Sequence, residues 1–146
     1  MIRFIVFDLD GTLVDSRRDI ADAANTLLAD VAGVQLPEAA IGRMVGDGAA
    51  ALIARAFTAA GVPRPDDALA RFLAIYKVGL LVHTRPYPDV GPVLETLAAT
   101  MPLAVLTNKP LDLSRDILRG LQLEQYFASD RVLRSEEHTS ELQSPY

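Results

Sequence analysis

The sequence predicts an α/β fold, a parallel sheet interrupted by a long helical insertion. Two short apolar runs, "IRFIVF" at 2–7 and "PLAVLT" at 102–107, have the length and β-branched content of buried strands. The runs between and after them carry apolar residues at helical spacing. About ninety residues separate the two strands, far more than one strand–helix–strand crossover needs.

Each element follows from local signals. After the first strand, Ser16 stands where a helix cap belongs. Ile20, Ala23, Ala24, Leu27, Leu28 and Val31 then recur on one helical face, and Gly33 closes the run. Residues 37–46 form a short helix beginning at Pro37, and "GDG" at 46–48 is a turn. Leu52, Ile53, Ala56, Phe57 and Ala60 mark the next helix, ended by Gly61. Leu69, Phe72, Leu73, Tyr76 and Leu80 mark another, after the loop "PRPDD". The Pro-rich "HTRPYPDVG" reads as a linker, with His83 an ordinary member of it. Val93, Leu94, Leu97 and Met101 give a helix before the second strand. Residues 111–121 are helical through Leu113, Ile117, Leu118 and Leu121, and "YFASDRVL" holds a third strand. The expected organisation is a core of residues 1–15 and 84–133 around a helical insertion at 16–83.

Composition narrows the function classes. Half of the 146 residues are hydrophobic, so a packed core is expected. A net charge of −5 argues against a nucleic-acid surface. The absence of cysteine removes disulfides, thiolate metal sites and a thiol nucleophile, and suits a reducing cytoplasm. No apolar run approaches the ~20 residues of a membrane span.

The chemistry starts at "FIVFDLDGTLVDS", where an apolar strand runs into Asp8 and Asp10. The carboxyl end of a parallel strand is where open α/β sheets bind ligands. Two carboxylates there can divide labour. One stays ionised and attacks as a nucleophile, and the other gives a proton to a leaving group. A carboxylate attacking phosphorus forms an aspartyl-phosphate, and a dianionic ester repels it unless a divalent cation bridges them. Oxygen-only ligands favour Mg²⁺. A calcium loop is rejected, because the glycine of "DLDG" falls at the fourth position and no Glu stands at the twelfth. Thr107 and Asn108 directly follow the second strand. Taken alone they read as a helix cap before Pro110. Beside the first strand they reach the same rim and can hold phosphate oxygens with the next helix's first N–H groups.

These strings carry a resemblance. "FDLDGTLVDS" resembles the first motif of the haloacid dehalogenase superfamily in its phosphatase branch, and "AVLTNKP" resembles the second. With "MVGDGAAALIARAF" and "PYPDVGPVLETL" between them, the order is similar to that of phosphoglycolate phosphatases, over residues 3 to about 133. The resemblance implies a Rossmann-like core with an α-helical cap, hydrolysing a small phosphorylated metabolite, with 2-phosphoglycolate the first candidate. It implies that Asp8 is nucleophile and Mg²⁺ ligand. Asp10 is the general acid and base, with its backbone carbonyl on the metal. Gly11 and Thr12 form the turn at the phosphate site, where cap movement begins. Thr107 binds the phosphoryl group, with Asn108 beside it. Gly46, Asp47 and Gly48 look onto the substrate from the cap, although "GDG" reads equally as an ordinary turn. Arg55 faces either substrate or solvent. Sister activities on a sugar phosphate or pyrophosphate, or a phosphomutase, share the first motif. A dehalogenase needs no Asp10.

The end of the chain departs from the pattern. The family has a third-motif Lys and a fourth-motif acidic pair beyond the position of Phe127, and this chain has only Lys77 and Lys109. "RSEEHTSELQS" at 134–144 matches the translation of a common sequencing adapter, so residues 134–146 are expected to be a non-native tail. The chain is then a fragment with an incomplete sheet, inactive by itself. A non-catalytic remnant is the alternative from another class.

Overall fold

The computed structural model describes residue 1 and residues 3–135. The expected tail lies outside the described residues, apart from Arg134 and Ser135. Contacts divide the chain into two compact units, Met1–Asp15 together with the chain from Arg85 onward, and Ser16–Thr84.

The first unit is an α/β layer. Strands β1 (Ile5–Phe7), β4 (Leu103–Thr107) and β5 (Phe127–Arg134) form a parallel sheet in the order β1-β4-β5. Helix α5 (Val90–Ala98) leads into β4. Helix α6 (Leu111–Gly120) and a 3₁₀ turn (Glu124–Tyr126) connect β4 to β5. The core gathers Leu94, Leu103, Val105, Leu113, Ile117, Leu118, Leu123, Phe127 and Val132, all buried. Phe7 and Phe127 meet edge to face with centroids 6.5 Å apart.

Three elements differ from expectation. The first strand is shorter than residues 2–7, and Phe4 and Val6 are 58% and 47% exposed where a fully buried strand was expected. β1 is an edge strand, and the face that it shares with Leu106 and Leu133 is open among the described residues. The linker contains β3 (Arg85–Pro86), paired antiparallel with β2 (Val14–Asp15), with Val14 opposite Pro86 and Asp15 opposite Arg85. Two-residue strands show no periodicity, and proline masks one of them. Arg134, counted with the tail, closes β5 opposite Thr107.

The second unit is all helical: α1 (Arg17–Ala32), α2 (Glu38–Gly42), α3 (Ala49–Ala60) and α4 (Ala68–Val78). Gly33 and Gly61 terminate α1 and α3 in the left-handed conformation, at φ 67° and 69°. Helix α2 stops short of residue 46. The bonds from Met44 N to Ile41 O and Val45 N to Gly42 O tighten the chain, and Gly46 turns it at φ 130°. Leu27, Leu28, Ile41, Ile53, Phe57 and Phe72 are buried together with Tyr76, whose ring stacks on Phe72 at 5.7 Å. Among the described residues, no helix is long and apolar enough to cross a membrane.

The two ends of this unit are tied by one carboxylate. Asp19, in the first turn of α1, is only 3% exposed. It accepts hydrogen bonds from His83 N at 2.8 and 3.0 Å, from Thr84 N at 2.8 Å and from Thr84 Oγ1 at 2.8 Å. Ser16 sits in the cap position of α1 but makes no capping bond with its hydroxyl, contrary to expectation. Removing Asp19 would leave buried donors without their acceptor. Asp19→Ala is therefore expected to destabilise the chain by about 2–4 kcal/mol, and Asp19→Asn by less. Urea titration followed by circular dichroism measures both, and an unchanged midpoint for Asp19→Ala would refute the tie.

Candidate active site

The site grows from the turn after β1. Leu9 is fully buried, and its carbonyl oxygen accepts from Thr12 N at 3.2 Å, Leu13 N at 3.0 Å and Val14 N at 3.2 Å. Gly11 N donates back to Val14 O at 2.9 Å. One buried carbonyl thus winds residues 9–14 into a tight knot. The knot turns at Gly11, whose φ of +81° suits a residue without Cβ. Asp8, on the strand side of the knot, is exposed and takes the Leu9 N–H on Oδ1 at 2.8 Å. Asp10 is on the far side and mostly buried.

Parallel pairing brings the second cluster to the same edge. Phe7 is opposite Val105, so Asp8 and Thr107 both stand at the carboxyl edge of the sheet. Thr107 is buried, and its Oγ1 accepts the Lys109 N–H at 3.2 Å. Asn108 Oδ1 accepts the Ser135 hydroxyl. Pro110 follows and α6 begins, so its first N–H groups lie beyond this same strand end.

One residue at this edge was passed over in the sequence. Lys109 Nζ lies 2.9 Å from Asp10 Oδ1, with side-chain exposures of 5% and 14%. Lysine is almost never buried unpaired, and the ion pair with Asp10 accounts for its burial, which the sequence alone does not display.

The donor set suits a hard divalent cation. Asp8 offers an exposed carboxylate, the neighbouring donors are oxygens, and the chain has no thiol. The Asp10 carboxylate faces the Lys109 ammonium through Oδ1. Among the described residues, three ligand-type side chains gather elsewhere, at Asp19, Asp22 and His83. There the Asp19 carboxylate is already committed to His83 and Thr84.

The remaining candidates lie in the helical unit. Arg55, on α3, donates to Asp47 Oδ2 at 2.7 Å and to Met44 O at 3.1 Å, bracing the 44–48 turn. Gly46 and Gly48 carry its positive φ values of 130° and 92°, and Gly48 occupies the cap position of α3. The structure thus joins Asp47 to Arg55 in an exposed pair, of a kind that adds little stability.

The chain matches the family model of haloacid dehalogenase-like hydrolases over residues 5–140. It is 46% identical over 132 residues to a phosphoglycolate phosphatase of Rhodospirillum rubrum, covering 84% of this chain and 55% of that protein. It is 39% identical over 128 residues to one of Caulobacter vibrioides, covering 84% and 54%. Among solved structures, it resembles a predicted phosphoglycolate phosphatase from Haemophilus somnus, with a TM-score of 0.79 and 32% identity, covering 91% of this chain and 62% of that one. The chain spans about half the length of the curated relatives it matches.

The Gly11 turn gives a direct test. Gly11→Ala meets no atom within 4 Å, so its cost is conformational. It is expected to be about 1–2 kcal/mol, read as a lowered thermal midpoint. A midpoint equal to that of the parent sequence would remove the strain argument.

Proposed function

The chain belongs to the haloacid dehalogenase-like hydrolases, and we propose that the protein it represents is a Mg²⁺-dependent phosphate monoester hydrolase acting on 2-phosphoglycolate. The observation that carries this reading is the meeting of Asp8 and Thr107 at one sheet edge, with Asp10 two residues beyond Asp8. The names of the relatives support the substrate.

In this mechanism an Asp8 carboxylate oxygen attacks phosphorus and forms the O–P bond of an aspartyl-phosphate. The bond from phosphorus to the ester oxygen breaks, and its electron pair stays on that oxygen, which takes a proton from Asp10. Water then attacks the same phosphorus and loses a proton to Asp10, and the Asp8 carboxylate departs. Thr107 Oγ1, Asn108 and the N–H groups at Gly11, Thr12 and the start of α6 hold the phosphoryl oxygens. Mg²⁺, on the Asp8 carboxylate and the Asp10 backbone carbonyl, would offset repulsion between the nucleophile and a dianionic ester. Substrate choice is assigned to the helical unit as a cap, through Gly46, Asp47, Gly48 and Arg55. The setting is the cytoplasm, and the partner is the small metabolite itself.

The 146-residue chain alone is inactive in this reading. A third-motif Lys and a fourth-motif acidic pair have no counterpart before residue 133.

The test uses the full-length product of the gene read from genomic DNA. With Mg²⁺ it is expected to hydrolyse 2-phosphoglycolate faster than other small phosphate esters, and to stop when EDTA is added. Asp8→Asn should reduce turnover to background, and Asp10→Asn should lower it by roughly 10²–10⁴-fold. Turnover surviving in Asp8→Asn would remove the nucleophile assignment. A different ester turned over best would remove the substrate.

A further inference from the structure

We propose that Lys109 is a positioning residue, which directs the Asp10 carboxyl group at the reacting oxygens, so that its protonated form donates to the leaving oxygen and its ionised form takes a proton from the attacking water. The proposal rests on the reading of Asp10 as the general acid. It adds a residue from the β4 side of the site that is neither nucleophile, acid nor phosphate ligand.

The geometry carries it. Asp10 lies in the knot wound on the Leu9 carbonyl, so its backbone is fixed. On its side chain, Oδ1 lies 2.9 Å from Lys109 Nζ, which gives the carboxyl group a direction. Lys109 is fixed in turn from the other strand. Its backbone N–H donates to Thr107 Oγ1 at 3.2 Å, and Pro110 restricts its conformation from the following position. One residue therefore connects the knot after β1 to the phosphate end of β4, through its side chain to the first and through its backbone to the second.

A pair this buried is a costly way to gain stability. Desolvating two charges often outweighs their attraction, and apolar residues of similar volume frequently serve the fold as well. The surface pairs of this chain, such as Arg55 with Asp47, involve no such burial. What a buried amine offers that a methyl cannot is a fixed direction for the carboxylate, and misplacing a proton donor by about 1 Å costs on the order of 10²-fold in rate.

Leaving-group dependence separates positioning from general structural damage. An alkoxide leaves poorly unless it is protonated, whereas p-nitrophenolate leaves readily without a proton. The full-length enzyme, Lys109→Met, Lys109→Arg and Asp10→Asn would be compared by rapid-quench measurement of phosphoenzyme formation. The two substrates are 2-phosphoglycolate and p-nitrophenyl phosphate. Circular dichroism would first establish that each variant is folded. Lys109→Met is expected to slow phosphoenzyme formation from 2-phosphoglycolate by about 10- to 100-fold. Its rate with p-nitrophenyl phosphate should stay within about threefold, with KM little changed and Lys109→Arg recovering part of the loss.

Equal losses on both substrates, no loss on either, or a raised KM at unchanged kcat would each overturn the proposal. Should Lys109→Met not fold, Lys109→Arg decides alone, and it must show the same leaving-group split in milder form or the proposal falls. Asp10→Asn keeps the two readings apart. If it discriminates between the substrates and the Lys109 variants do not, only the Lys109 proposal fails. If Asp10→Asn itself does not discriminate, the general-acid reading fails first.

Discussion

The pairing of β1 with β4 is the constraint on which the site depends. Neither strand carries chemistry, since both are short apolar runs. Parallel pairing makes their carboxyl ends coincide, and it does so for residues about a hundred positions apart in sequence. An antiparallel pairing would send Asp8 and Thr107 to opposite edges. The register is fixed by burial. A slip of one residue would turn Leu103 and Val105, now buried, toward the open face, and would bury Leu106 in their place.

A long insertion between paired strands carries a loop-closure cost, but one that grows only slowly with length. The helical unit lowers the difficulty further by fastening its own ends. Asp19 near the start of the unit and Thr84 at its end are joined by two hydrogen bonds, and Leu27, Phe57 and Phe72 give the unit a core of its own. The antiparallel ladder of β2 and β3, just outside, then brings residues 14–15 and 85–86 together for the first unit. The first device is made of the helical unit's own residues, and the second of residues just outside it.

The sequence made visible what periodicity and punctuation encode. Five of the six helices among the described residues follow from apolar spacing, with Gly33 and Gly61 as stops, α2 follows from Pro37, and β1 and β4 follow from short apolar runs. It did not reveal β2 and β3, because two residues cannot display a period. Nor did it reveal that Arg134 belongs to β5, since a strand's last residue is set by its partner and not by its own type. In the site, Asp8, Asp10, Gly11 and Thr107 were legible as types at an edge. Lys109 was not, because burial of a lysine is a tertiary fact. The sequence records its position but not that its amine turns inward to Asp10.

Three carboxylates of this chain show how environment divides roles among identical groups. Asp19 is buried and bound by donors from an ordered segment, two backbone N–H groups and a hydroxyl. Such a group has no freedom to do anything but anchor. Asp8 is exposed and takes the single N–H of Leu9 on Oδ1, which orients the carboxylate and leaves it accessible, as a nucleophile needs. Asp10 falls between them. It is mostly buried, and the charge beside it is an amine on a flexible stem. An amine on a flexible stem gives that carboxyl group a direction and can follow it through small displacements. In the proposed roles of anchor, nucleophile and acid, the three aspartates differ in what binds them, and Lys109 supplies the intermediate case.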